Sequence, residues 1–138
     1  MELVKKTDKK VLAKWAIDCV ERVIPYFEKQ FSKDKRPRKA IETLQDWINT
    51  GNFKMQIIRK VSLDSHAAAR EVGEDNPARS VARAAGQAVA TAHVKTHSLA
   101  AVMYSLQALY RATDSADVER VLAKEREWQL QKLLERLK

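Results

Sequence analysis

The chain has 138 residues, of which 45% are hydrophobic and 32% are charged, and its 26 basic and 18 acidic residues give a formal net charge of +8. This length suits one domain covering residues 1–138, and the presence of only three glycines and three prolines excludes a fold of many strands and tight turns. No apolar run is long enough to cross a membrane, and the charged N-terminus lacks the apolar core of a secretory signal.

The first predicted helix begins at Thr7 or Asp8, either of which can cap it. Apolar residues then recur at steps of three and four, which is typical of a helix packed on a core: Val11, Leu12, Trp15, Ala16, Cys19, Val20, Val23 and Ile24. Pro25 removes a helical hydrogen bond, so we expect a kink and a short continuation. Cys19 is interpreted as a core residue, and as the only cysteine it favours a reducing, cytoplasmic location.

Two further helices are predicted from turn and capping signals. One begins at the Arg-Pro-Arg segment, where Pro37 suits the first turn, and ends at Gly51. The next is predicted from Phe53 to Val72. Both carry apolar residues at helical spacing, so each is expected to bury one face.

The segment SVARAAGQAVATA, residues 80–92, is small or apolar on nearly every face. A helix without a polar face is typical of the centre of a bundle. A helix running without a break from Pro77 to Ala112 would be about 54 Å long, which is too long for a compact domain of this size. We therefore expect a break near Lys95 and Thr96. Thr96 would cap a fifth helix, and Asp114 or Ser115 a final one. The elements together predict an all-α, single-domain bundle of about six helices with a central Ala-rich helix.

The excess of basic residues lies in the first half of the chain. Residues 1–62 hold 15 basic and 8 acidic residues, a net of +7, whereas residues 63–138 hold 11 and 10, a net of +1. Such a field attracts polyanions or an acidic protein surface. One hypothesis is therefore a sequence-blind contact with nucleic acid through the dense basic segment 33–39, which contributes Lys33, Lys35, Arg36, Arg38 and Lys39.

Three histidines raise the question of a metal site. His93 and His97 stand four residues apart, a spacing that places two side chains on one face of a helix. A zinc ion needs a third protein ligand, which His66 or a carboxylate such as Asp18 would have to supply. The zinc-protease motif is absent, since Val94 follows the first histidine of the pair. Our expectation is that the pair hydrogen-bonds to a carboxylate or carbonyl and binds no metal.

The sequence contains no recognisable catalytic arrangement. It has no glycine-rich phosphate loop, its serines lack a nucleophile elbow, and its carboxylates are scattered over predicted helix surfaces. We therefore expect a non-enzymatic protein that needs no cofactor.

A network of arginines and carboxylates is predicted between the first two long helices. Arg36 and Arg38 flank Pro37 at a helix start, where a guanidinium is unfavourable without an anion nearby. Asp18 and Glu21 on the first helix could supply that anion. We interpret this network as fixing helix packing, and its residues are also the best candidates for a binding site.

Four segments resemble a bacterial family of immunity proteins, the immunity-five-like all-α family. They are LAKWAIDCVERVIPYFE (12–28), DKRPRKAIE (34–42), ARAAGQAVATAHVKTHSLAAVMYSLQAL (82–109) and EREWQLQKLL (125–134). The resemblance implies an all-α fold and a role in bacterial toxin–antitoxin competition, in which the protein binds a cognate toxin domain in the cytoplasm and neutralises it.

The matching segments carry binding-site candidates but no catalytic role. The candidates are Trp15, Asp18, Cys19, Glu21, Asp34, Arg36, Pro37, Arg38, His93 and His97, and His66 joins them as the third histidine. Immunity proteins that mask nucleases tend to be acidic, whereas this chain is basic. We therefore expect a toxin partner with an acidic surface, with nucleic-acid binding and metal binding as the alternatives.

Overall fold

The computed structural model describes residues 2–138, which form eight α-helices and no strand. The helices are α1 (Glu2–Lys6), α2 (Lys9–Glu21), α3 (Pro25–Gln30), α4 (Arg36–Thr50), α5 (Met55–Glu71), α6 (Pro77–Ala90), α7 (His97–Ala112) and α8 (Val118–Leu137). The predicted all-α class is confirmed, whereas the expected number of six helices is too low by two.

The two additional helices result from breaks at either end of the predicted first helix. The backbone of Asp8 is extended (ψ 141°), and its side chain accepts the N–H of Lys10, which confirms the predicted cap. Glu2–Lys6 form α1 as a separate helix, and Thr7 stands between it and the cap. At the other end Pro25 cannot donate a hydrogen bond, so the chain turns and α3 begins there.

Proline, asparagine and glycine stand at the start of α4 and α6 and at the end of α4 and α5, whereas α5 begins at Met55 rather than at the predicted Phe53. Gly51 and Gly73 have positive φ angles of 73° and 86°, a conformation that glycine adopts without strain, and they follow α4 and α5. Pro77 opens α6, and the side chain of Asn76 accepts the N–H of Arg79 at 3.0 Å.

The predicted break after α6 is confirmed, but two capping predictions are wrong. Thr96 occupies the position before α7, yet its side chain makes no capping hydrogen bond. The last helix begins after Asp117, and neither Asp114 nor Ser115 caps it. The N–H of Asp117 donates to the carbonyl of Asp114 at 2.9 Å, so residues 114–117 form a hydrogen-bonded turn before α8 begins.

Helix α6 lies at the centre of the bundle and packs against α2, α3, α4, α5 and α7. The residues that it buries are all small: Ala78, Ser80, Val81, Ala82, Ala84, Ala85, Gly86, Ala88 and Val89. Small side chains let neighbouring backbones approach closely, and the Oγ atoms of Ser62 and Ser65 on α5 reach the α6 carbonyls of Gly86 and Ala82 at 2.9 and 2.7 Å. The prediction of a central Ala-rich helix is confirmed.

Helix α2 separates two hydrophobic clusters. Its residues Ala13, Ala16 and Val20 belong to the large cluster around α6. Its opposite side contributes to a smaller cluster under α8, made of Val4, Leu12, Trp15, Cys19, Val102 and Leu133. None of the helices in residues 2–138 combines the length and apolar character that crossing a membrane requires.

Candidate functional site

The residues predicted as site candidates do not converge on one site. The structure divides them into an attachment for α8, two arginine–carboxylate clusters and a cavity that all three histidines line.

Trp15 and Asp18 attach α8 to α2. Trp15 is buried, and its Nε1 donates to the main-chain oxygen of Gln129 at 2.8 Å. The two carboxylate oxygens of Asp18 accept from Arg136 Nε and Nη2 at 2.7 and 2.8 Å. The predicted contact of Asp18 with Arg36 or Arg38 is therefore wrong, because an arginine of the last helix, 118 residues further along the chain, takes this carboxylate instead.

A second ion pair in the same region was not predicted from the sequence. Arg22 donates to both oxygens of Glu125 at 3.1 and 2.7 Å, and its guanidinium lies 4.1 Å from the centre of the Trp128 ring. Cys19 is buried beneath, and that burial raises the pKa of its thiol, which matches its predicted role in the core. The sequence feature that could have indicated this ion pair is the position of Arg22, one helical turn after Asp18 and beside the apolar residues of the first predicted helix.

The predicted network between the first two long helices exists only in part. Arg38 contacts Glu21, as predicted, and also donates to Glu28 at 3.0 and 2.9 Å. These hydrogen bonds from Arg38 lower the pKa of Glu28. Glu28 belongs to α3, which was predicted only as a short continuation of the first helix.

Arg36 does not reach α2. It donates to Asp34 at 2.9 and 2.7 Å and to Glu71 of α5 at 2.9 Å through each of two guanidinium nitrogens. These bonds lower the pKa of both carboxyl groups and raise that of Arg36. Arg36 therefore joins the start of α4 to the end of α5.

The basic segment borders a cavity of about 410 Å³ that Lys33, Lys35 and Lys39 line together with Asp34 and other residues. Because Arg36 and Arg38 are occupied by carboxylates, only these three lysines remain as cations of the patch without an ion pair among residues 2–138. The positive field of the patch is weaker than its sequence implies.

The three histidines line a second cavity, of about 300 Å³, between α5, the end of α6 and the start of α7. We call it the histidine cavity. Its other polar lining residues are Arg59, Ser62 and Gln87, and its apolar ones are Met55, Ile58, Leu63 and Ala90. His93 lies in the turn after α6 and His97 is the first residue of α7, so the predicted break separates the two and they do not form a pair on one helix face.

His66 lies directly against the backbone of α6. A Cβ atom added to Gly86 would be only 2.7 Å from His66 Nε2, so only glycine admits the ring here. Arg83 Nη1 lies 2.9 Å from His66 Nδ1. Arginine has only donors, so Nδ1 must accept and the proton is on Nε2. Burial, followed by the charge of Arg83, lowers the pKa of His66 to about 4.

The other two histidines have different surroundings. His97 Nδ1 lies 2.8 Å from Gln87 Oε1, an amide carbonyl, which confirms the predicted kind of partner. Burial also lowers the pKa of His97. His93 instead stacks on Phe53, with ring centres 6.1 Å apart. Arg83 and Gln87 were visible in the sequence as the polar interruptions of an apolar helix, one turn apart.

The clustering of histidines does not amount to a metal-binding arrangement. Within residues 2–138 no group of three or more His, Cys, Asp or Glu side chains could hold one metal ion. Asp18, the carboxylate suggested as a further ligand, is engaged by Arg136, and Glu21 and Asp34 are also each paired with an arginine.

Exposed apolar side chains lie at the histidine cavity. Met55 and Leu63 line it and are 40% and 55% exposed, while Phe53, which stacks on His93, is 43% exposed. Exposed apolar side chains that lie together are typical of interaction sites. We call these three residues the apolar rim. A separate groove of about 610 Å³ lies between α7 and α8, with Met103 among its lining residues.

No curated protein and no solved structure gives a significant match to the chain. A family model does match, and it covers residues 2–136, nearly the whole sequence. The chain therefore belongs to the family described as "Imm-5 like putative immunity protein".

Proposed function

We propose that this protein is a non-enzymatic immunity protein that binds a cognate toxin domain in the bacterial cytoplasm and neutralises it. Membership of the immunity-protein family over residues 2–136 carries the proposal. The binding surface that we assign to this function is the histidine cavity together with its apolar rim. Neutralisation then requires only that the bound toxin be masked, and no chemical step by the immunity protein.

The composition of this surface supports a protein partner. Interfaces are rich in exposed aromatic residues, methionine and arginine, and the rim supplies Phe53 and Met55 while Arg59 lines the cavity. Three of the cavity's polar groups, His66, Gln87 and His97, are already held by contacts within or between helices. A partner would therefore meet a preorganised surface, which reduces the entropy lost on binding.

The alternative of nucleic-acid binding through the basic segment has less support. Two of its five cations, Arg36 and Arg38, are paired with carboxylates, and Asp34 stands within the patch itself. Phosphate contacts would have to break these pairs or rely on lysines alone.

The proposal is tested by co-expressing this protein with the protein encoded by the neighbouring gene. We expect the neighbour to inhibit growth when it is expressed alone, and we expect co-expression to restore growth. The two purified proteins should form a complex by calorimetry. A neighbour that is harmless, or that does not bind, would overturn the proposed function.

Substitutions at matched positions test the assigned surface. Leu63→Asp and Met55→Asp place a charge on exposed positions of the rim, so each should weaken the complex by at least about tenfold. Met103→Asp is the control, since Met103 is 68% exposed but lines the groove between α7 and α8. If the control abolishes binding and the rim variants do not, the histidine cavity is not the binding surface.

A further inference from the structure

The histidine cavity has positive charge and no acidic residue in its lining. Arg59 lines the cavity, and Arg83 and Arg70 both act on the pKa of His66 through their positive charge. No ion pair among residues 2–138 involves any of these three arginines. Arg59 and Arg70 are exposed, whereas Arg83 is half-buried, and other half-buried arginines such as Arg36 and Arg38 hold two carboxylates each.

Arg83 is the most informative of these arginines. Its side chain is half-buried, and its guanidinium donates to the neutral Nδ1 of His66 rather than to an anion. A partly desolvated guanidinium gains most from a carboxylate, because that pairing offers charge and two parallel hydrogen bonds. The site therefore combines positive charge, imidazole and amide groups with no acid of its own.

We propose that the histidine cavity receives an aspartate or glutamate side chain of the protein partner, with Arg59 and Arg83 supplying its countercharge and the apolar rim contacting the residues on either side. This inference rests on the proposed function and identifies the group on the partner that the cavity recognises. A volume of about 300 Å³ is large enough for one side chain, whereas a helix or a nucleotide strand would have to lie outside it. The apolar rim of Phe53, Met55 and Leu63 favours a protein over the phosphate backbone of a nucleic acid.

The inference can be tested without the toxin by using a pair of small probes. Capped aspartate, N-acetyl-aspartate N-methylamide, carries the carboxylate, and capped asparagine is its uncharged isostere. Both are titrated into the intact protein at constant ionic strength while the imidazole signals of the three histidines are followed by NMR. We expect saturable shifts of the His66 and His97 signals with capped aspartate and none with capped asparagine.

Arginine variants identify the countercharge. Arg59→Gln and Arg83→Gln should each weaken the binding of capped aspartate by at least about fivefold, whereas Arg126→Gln, which removes an arginine lining the other groove, should leave it unchanged. Arg59 is exposed, so its variant should fold even if removal of Arg83 disturbs His66. Equal responses to both probes up to their solubility limit would overturn the inference. A response to inorganic phosphate but not to capped aspartate would also overturn it, in favour of a nucleic-acid ligand.

The outcome is distinguishable from failure of the proposed function. If the neighbouring toxin binds but Arg59→Gln and capped aspartate have no effect, the immunity role stands and the acidic anchor is wrong. If capped aspartate binds but no toxin does, the cavity still recognises a carboxylate while the immunity role fails.

Discussion

The neutral state of His66 predicts that the protein loses stability in mildly acidic solution. An unfolded histidine takes up a proton below a pKa of about 6.5, whereas in the folded protein burial and Arg83 lower this pKa to about 4. Between these values the unfolded state binds a proton that the folded state does not. Stability contributed by His66 is therefore complete above pH 6.5 and is lost as the pH falls towards 4.

The size of the loss follows from linkage between protonation and folding. Between pH 7 and pH 5, the difference between the two pKa values lowers the free energy of unfolding by about 2 kcal/mol for a fully desolvated ring. The ring is only half-buried, and screening by solvent reduces the expected effect to about 1 kcal/mol. Protonation of ion-paired carboxyl groups such as Glu28 and Asp34 also lowers the stability in acid, because their pKa values are lowered in the folded protein. This loss begins only below about pH 5.

Urea unfolding at pH 7 and pH 5 measures this difference, with His66→Gln as the control. Glutamine carries no titratable group, and its carbonyl oxygen can accept from Arg83. We expect the wild-type protein to lose about 1 kcal/mol more than the variant over this interval. Since His97 contributes to both proteins, it cancels in the comparison. Equal losses would show that His66 is not held neutral, and the description of its contact with Arg83 would then be wrong.

Four further substitutions test the packing. Arg22→Gln should cost about 2–4 kcal/mol, because it leaves the carboxylate of Glu125, whose side chain is 9% exposed, without its partner. Glu125→Gln should cost only about 1 kcal/mol, since Arg22 is 43% exposed and can be hydrated. Thr91→Val should stabilise the protein by about 1 kcal/mol, because the buried Oγ1 has no partner among residues 2–138, and a destabilised variant would contradict this. Gly86→Ala should lower the melting temperature and move the NMR signals of His66, because overpacking outweighs the gain of about 1 kcal/mol in helix propensity. Chemical denaturation measures the first three changes, and thermal melts with NMR measure the last.

The fold could be predicted where the signal was local. Proline, glycine and asparagine mark the starts of α4 and α6 and the ends of α4 and α5, because each acts on its own backbone. Local signals were not sufficient at α8, because Asp114 can begin either a helix or a turn, and here it begins a turn. They also did not predict α1 as a separate helix, although Asp8 was identified as a possible cap.

The binding candidates were harder to predict because their partners are distant in sequence. Asp18 was paired with Arg36 and Arg38 at the start of the next long helix, but packing of α8 brings Arg136 to it. The break between His93 and His97 was predicted correctly from the sequence, but their spacing alone could not show that the turn places both at one cavity. Nothing in local spacing could show that His66 joins them, because that depends on how closely α5 approaches Gly86.

The small residues buried along α6 have a consequence for the entropy of folding. Alanine and glycine have no side-chain rotamers to lose, whereas a buried leucine or methionine gives up about 0.5–2 kcal/mol of rotational freedom. Six of the nine residues that α6 buries are alanine or glycine, so ordering the middle of the molecule costs little beyond its backbone. Each of these side chains also gains little from burial. The helix is therefore stabilised mainly by the larger residues of α2, α4 and α5 that close around it, such as Val20, Leu44 and Ile58.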